Sequence, residues 1–219
     1  MESITYMEQT QNILKTGTTT IGLVCKEGIV IAADKRATVG HTVAAEVRKV
    51  IPVGDRFVVT IAGTASDAVM LARHLKSELK LKELRSGNEV TVREAANLLA
   101  QFVYNNIRQP SVIQGITHFL FAGYDKDSVE LYDVFPDGSI TLVNDYYCSG
   151  SGSVYAYGVI DAGYKEGLDL QAGAQLAKQA IKSAVKRDTA SGNGYLLYTV
   201  TPDGVEELED VTFKSPMEE

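Results

Sequence analysis

Gly17 and Thr18 stand at the head of the run Thr18-Thr19-Thr20, just before the apolar stretch IGLV. A threonine hydroxyl is inert near neutral pH, but a threonine at a chain terminus carries its own base, an α-amine whose reference pKa is about 7.7 to 8.0. That amine exists only after the bond between Gly17 and Thr18 is broken. Glycine is the residue that best allows the bent, side-chain-free approach such a cleavage requires. A cation near the amine disfavours its protonated form, provided a carboxylate holds the cation in place. The charges on offer are Asp34, Lys35 and Arg36, at the end of IVIAAD, and Lys49, before VIPV. Each has a plainer reading: β-propensity for the threonines, a strand-end charge cluster for DKR, and a surface position for Lys49. The chemistry needs a fold that brings them to Thr18.

Other routes to catalysis find little support in the sequence. His41, His74 and His118 show no HExxH or other metal spacing, and there is no G-x-S-x-G elbow, no Walker loop and no G-x-G-x-x-G after a strand. No metal or cofactor is expected. Gly150-Ser151-Gly152 has the glycines of a phosphate loop without its lysine and reads as a helix start. The net charge of −7, with no basic stripe, argues against nucleic acid as a partner. The first seventeen residues lack the basic start and apolar centre of a signal peptide, and no run reaches membrane-spanning length, so the reading is a cytoplasmic protein. Cys25 and Cys148, both in apolar surroundings, read as reduced core thiols.

The elements that must position these residues follow from periodicity. From Thr19 to Gly63 the pattern is strand-like: TTIGLVC and IVIAAD flank a Lys26-Glu27-Gly28 turn, and FVVTIAG follows a polar loop. Ala68, Ala72, Leu75 and Leu79 fall at helical spacing behind a Thr64 cap, and Thr91 with Glu94 forms a capping-box pattern before a second helix. Strands return as THFLFAGY, VELYDVF and SITLV. A helix then begins near Ser151, another runs from about Asp169 to Arg187, and YLLYTVT and VEELE close the chain as a hairpin. Strict βαβ alternation is absent. The economical packing is two antiparallel sheets face to face, with helix pairs on their outer sides, in one domain.

TGTTTIGLVCKEGIVIAADKRAT, RKV, TIAGTASDA, SGSGS leading into VYAYGVID, and KRDTASGNG follow one another from residue 16 almost to the end. Together with the glycine-threonine junction they resemble the β-type subunits of the 20S proteasome, most closely those of archaea. The resemblance implies an α+β fold, the four-layer αββα sandwich of the N-terminal nucleophile hydrolases. It implies that residues 1–17 are a propeptide removed by autolysis between Gly17 and Thr18, that 18–219 form the catalytic domain, and that Thr18 becomes a threonine endopeptidase nucleophile. Asp34 and Lys49 take the places of the family's carboxylate and lysine, and Gly63 that of its oxyanion-binding backbone N–H. Ser151, Asp188 and Ser191 match the residues around the threonine amine, and Gly192 lets the backbone approach closely.

Thr19 and Thr20 are expected to pair through their backbones with bound substrate. Ala37, Val47, Ile61, Ala65 and Val69 are expected around the first specificity pocket, which favours cleavage after hydrophobic residues. The implied partners are proteasome α subunits and other β subunits in stacked seven-membered rings, unfolded polypeptide as substrate, and a regulatory unfoldase ATPase, with no membrane or nucleic acid. The second helix pair and the segment near Ser151 are the expected ring contacts. Two other readings stay open: a non-catalytic structural ring subunit, and an amidohydrolase of the same nucleophile class acting on a small molecule.

Overall fold

The structure, a computed structural model, describes residues 17–39 and 42–213. The expected propeptide therefore lies outside the described residues apart from Gly17, and His41 lies outside them too. The chain opens with strands β1 (Thr20–Val24), β2 (Ile29–Asp34), β3 (Arg36–Val39), β4 (Thr42–Glu46), β5 (Val50–Val53) and β6 (Phe57–Gly63). Helices α1 (Ala65–Ser86) and α2 (Val92–Ile107) follow, then β7 (Thr117–Tyr124), β8 (Val129–Val134), β9 (Ile140–Val143) and β10 (Tyr146–Ser149). The last elements are α3 (Ser153–Gly163), α4 (Leu170–Arg187), β11 (Gly194–Thr201) and β12 (Gly204–Thr212).

One sheet has the order β10-β1-β2-β11-β12 and the other β5-β6-β7-β8-β9, with β3 and β4 forming a separate hairpin. Every pairing is antiparallel. Strand β2 shows how the sequence makes the layers. All six of its residues are buried. Ile29, Ile31 and Ala33 enter the core between the sheets, while Val30 and Ala32 pack on the opposite face with residues of α3 and α4. A strand covered on both faces reads as a continuous apolar run rather than an alternating one. In the other sheet, Val58 faces inward while Phe57, Val59 and Ile61 pack under α1 and α2. The result is four layers, helices on sheet on sheet on helices, as the order of elements implied.

Two features depart from the sequence reading. The polar loop expected before β6 contains the β3–β4 hairpin and β5, and SITLV is followed by a further four-residue strand, β10. Thr64 precedes α1, but its side chain makes no cap; its Oγ1 donates instead to the Gln114 carbonyl at 3.2 Å. The Thr91–Glu94 capping box is formed in full. Among the described residues no helix is long and apolar enough to cross a membrane.

Candidate active site around Thr18

Thr20 lies opposite Ala33 in the β1–β2 ladder, so the residues entering β1 run beside the carboxyl end of β2, where Asp34 sits. Asp34 is wholly buried. Its Oδ1 accepts from the Thr19 N–H at 2.9 Å and from Lys49 Nζ at 2.8 Å. Its Oδ2 accepts from the N–H groups of Arg36 and Gly192, both at 3.0 Å. An ionised carboxylate offers about four acceptor sites, and all are used. Asp34 thus has no acceptor capacity left over and serves as the partner that braces Lys49.

Lys49 enters β5 and is fixed by its own backbone, its carbonyl accepting from the Ile61 N–H at 2.9 Å. Its Nζ reaches both Asp34 and the carbonyl oxygen of Gly17, the latter at 3.0 Å. Burial holds the Lys49 ammonium below the usual lysine range; Asp34 pulls it back upward, more distant Asp188 adds to that pull, and Arg36 opposes it. A cation with depressed basicity against a carbonyl oxygen is a polarising donor.

Thr18 is buried, and its Oγ1 donates to the Gly17 carbonyl at 2.7 Å. Its N–H donates to Ser151 Oγ at 3.3 Å, in the turn that leads into α3. Ser151 and Ser191 both donate to Asp188 Oδ2 at 2.7 Å, and Ser191 Oγ lies 2.7 Å from Thr19 Oγ1. Asp188 caps the carboxyl end of α4. The Thr18 nitrogen therefore faces a serine backed by a carboxylate, a setting able to orient an amine and balance its charge.

A cleft beside Thr18 is lined by Ala37, Val47, Ile61 and Ala65, with Lys49 and Gly63. Val69, on α1, instead packs half-buried against the core beneath that helix. Gly63 has φ of 95°, and a Cβ there would lie 2.1 Å from the Ile116 carbonyl oxygen, so no side chain fits at the end of β6. Thr19 and Thr20 are not free for a β-paired peptide. The Thr19 N–H goes to Asp34 and its carbonyl accepts from the Asp34 N–H at 3.1 Å. Thr20 is paired on both sides, with Ala33 of β2 and Ser149 of β10. The expected role for their backbones is therefore corrected: both are used inside the sheet.

Sequence reasoning missed several contacts. Thr38 accepts the Gly17 N–H on its Oγ1 at 3.0 Å. A second cluster joins the two sheets: Ser149 Oγ lies 2.9 Å from His118 Nδ1, and His118 Nε2 lies 2.5 Å from Asp133 Oδ1. The type sequence is that of a serine hydrolase triad, but Ser149 is only 4% exposed and lies outside the cleft, so it is a latch between layers. No short-range motif signals it, since its three members come from β10, β7 and β8. Both cysteines are buried and free, and burial pushes the Cys25 thiol up to about 11 and Cys148 higher, which leaves neither as a nucleophile. Among the described residues no group of His, Cys, Asp and Glu could hold a metal ion.

The proteasome subunit family pattern matches residues 14–200. The chain is similar to the protein named proteasome subunit beta from Methanobrevibacter smithii, 39% identical over 194 residues, which covers 88% of this chain and 91% of that one. Its likeness to the protein of the same name from Methanocaldococcus fervens is 38% over 196 residues, covering 89% and 86%. For that of Methanopyrus kandleri it is 36% over 201 residues, covering 90% and 93%.

Proposed function

The chain belongs to the proteasome family as a β-type subunit that assembles with other proteasome subunits, and from that premise we propose that Thr18, once freed from Gly17, is the nucleophile of a threonine endopeptidase. One observation carries the reading. The Thr18 hydroxyl and the Lys49 ammonium converge on the Gly17 carbonyl oxygen at 2.7 and 3.0 Å, with Lys49 braced by Asp34. In the uncut chain the hydroxyl attacks the Gly17 carbonyl carbon, so that a C–O bond forms, the C–N bond to Thr18 breaks and the hydroxyl proton ends on the departing nitrogen. Water then hydrolyses the ester, leaving a carboxylate on Gly17 and restoring the Thr18 hydroxyl beside a free amine. In peptide hydrolysis that amine, positioned by Ser151 and backed by Asp188 and Ser191, takes the hydroxyl proton. The Gly63 N–H stabilises the tetrahedral oxyanion.

The aliphatic cleft walls favour cleavage after hydrophobic residues of unfolded chains. Assembly is in stacked seven-membered rings of β and α subunits served by an unfoldase in the cytoplasm, and the exposed Val154 and Tyr155 on α3 suit a contact with another subunit. The direct test is the intact mass of the β subunit from assembled particles, expected to lack residues 1–17. Particles that hydrolyse peptides while every copy keeps the Gly17–Thr18 bond would overturn the assignment.

The packing of Gly17 gives a further expectation. A Cβ at this position would lie 1.7 Å from Ala190 Cβ. Gly17→Ala forces Gly17 or the turn at Ala190 to move, and a displacement of about 1 Å at the carbonyl slows a positioned reaction by about a hundredfold. Followed by intact mass over time, scission should be slow in Gly17→Ala and stay slow when Ala190→Gly is added, because the new Cβ would also lie 2.7 Å from Ala190 Cα and 2.8 Å from its carbonyl oxygen, atoms that the second change keeps.

A further inference from the structure

We infer that the Thr38 hydroxyl is a positioning group for the maturation cleavage, a proposal that rests on the autolytic reading of Gly17–Thr18. Gly17 is held at three points. Its carbonyl meets Thr18 Oγ1 and Lys49 Nζ, its Cα face lies against Ala190, and its N–H donates to Thr38 Oγ1 at 3.0 Å in a buried bond. The first contact polarises the carbonyl and the second excludes a side chain. The third sets the rotation of the residue, because a peptide unit fixed at its carbonyl alone can still turn about its φ and ψ axes.

The hairpin that carries Thr38 has a local irregularity. The register of the β3–β4 hairpin shifts between Ala37 and Thr38, where β4 carries one extra residue. A bulge of this kind bends the strand that carries the extra residue and tightens the local twist. Adjacent residues of a regular strand point to opposite faces, yet Ala37 lines the cleft and Thr38 contacts Gly17. The hairpin thus turns two consecutive side chains onto the site, one apolar for the pocket and one an acceptor for the residue being cleaved. Thr38 is itself 4% exposed, so without it the Gly17 N–H would have no ready access to water.

The test separates a hydroxyl from a shape. Thr38→Val keeps the volume and removes the acceptor, and Thr38→Ser keeps the acceptor and removes a methyl. In assembled particles, with the fraction of subunit still carrying residues 1–17 read by intact mass over time, Thr38→Val should slow scission about tenfold, as loss of a buried hydrogen-bond acceptor implies. Thr38→Ser should process within about twofold of the parent. Equal rates for Val and Ser, or the reverse order in which Val processes faster, would overturn the proposal, since packing alone predicts one or the other. If Thr38→Val fails to assemble, Thr38→Ala against Thr38→Ser gives the same comparison. A parent chain that never loses residues 1–17 would instead sink the autolytic reading itself, a distinct result.

Discussion

Thr18→Ala is expected to give assembled particles in which every copy of the subunit keeps the Gly17–Thr18 bond and peptide hydrolysis falls by about 10⁴-fold or more. The substitution removes one oxygen and a methyl from a site where Thr18 is 3% exposed, so the cost in packing is small beside the loss of chemistry. The Thr18 N–H to Ser151 and the cage around Asp34 use no atom of the Thr18 side chain and stay intact. Thr18→Ser restores a hydroxyl and should recover scission and turnover, which distinguishes loss of the nucleophile from a folding defect. The measurements are intact mass and hydrolysis of a fluorogenic peptide ending in a hydrophobic residue. Hydrolysis by Thr18→Ala at the parent rate would end the assignment.

Lys49→Met should be the next most damaging change, lowering both scission and turnover by about a thousandfold, as expected when a preorganised cationic donor is removed from a water-excluded site. Methionine keeps much of the aliphatic length. It leaves the Gly17 carbonyl without its ammonium partner and Asp34 with three backbone donors and no counter-charge. An anion stranded in this way costs about 3 to 5 kcal/mol of stability, so a lower Tm should accompany the kinetic loss. Adding Asp34→Asn removes the stranded charge and should recover part of the Tm without recovering activity. A double variant that regains turnover would show that Lys49 serves only as the structural partner of Asp34.

The fold was legible because its signals are local and repeated. β2, β6 and β7 are apolar runs of the length of strands, and α2 and α4 carry their caps in sequence at Thr91 and Asp169. The short pieces were not. β3, β4 and β10 have four or five residues each, too few for a period to show, and they are strands only because a neighbour supplies the ladder. At the site, Asp34, Lys49, Ser151, Asp188 and Ser191 stand in sequence beside recognisable motifs, and the fold gathers them within hydrogen-bonding reach of Thr18, Thr19 or one another. Val69 is one helical turn beyond Ala65, far enough along α1 to pack half-buried against the core instead of lining the cleft. Thr38 and the Ser149–His118–Asp133 latch were hidden for a different reason. A threonine in a strand and a histidine in another look ordinary until a hairpin or a second sheet brings the partner across.

The bonds to Asp34 come from stretches of chain far apart in synthesis order: Thr19 and Arg36 emerge early, Lys49 soon after, and Gly192 lies 158 residues beyond the carboxylate it reaches. An emerging polypeptide that has not yet delivered Gly192 has an incomplete cage, and Asp188 and Ser191 are missing with it. On the reading proposed for Thr18, scission of the Gly17–Thr18 bond must then wait until the ribosome has delivered Gly192, and a half-made chain stays inert.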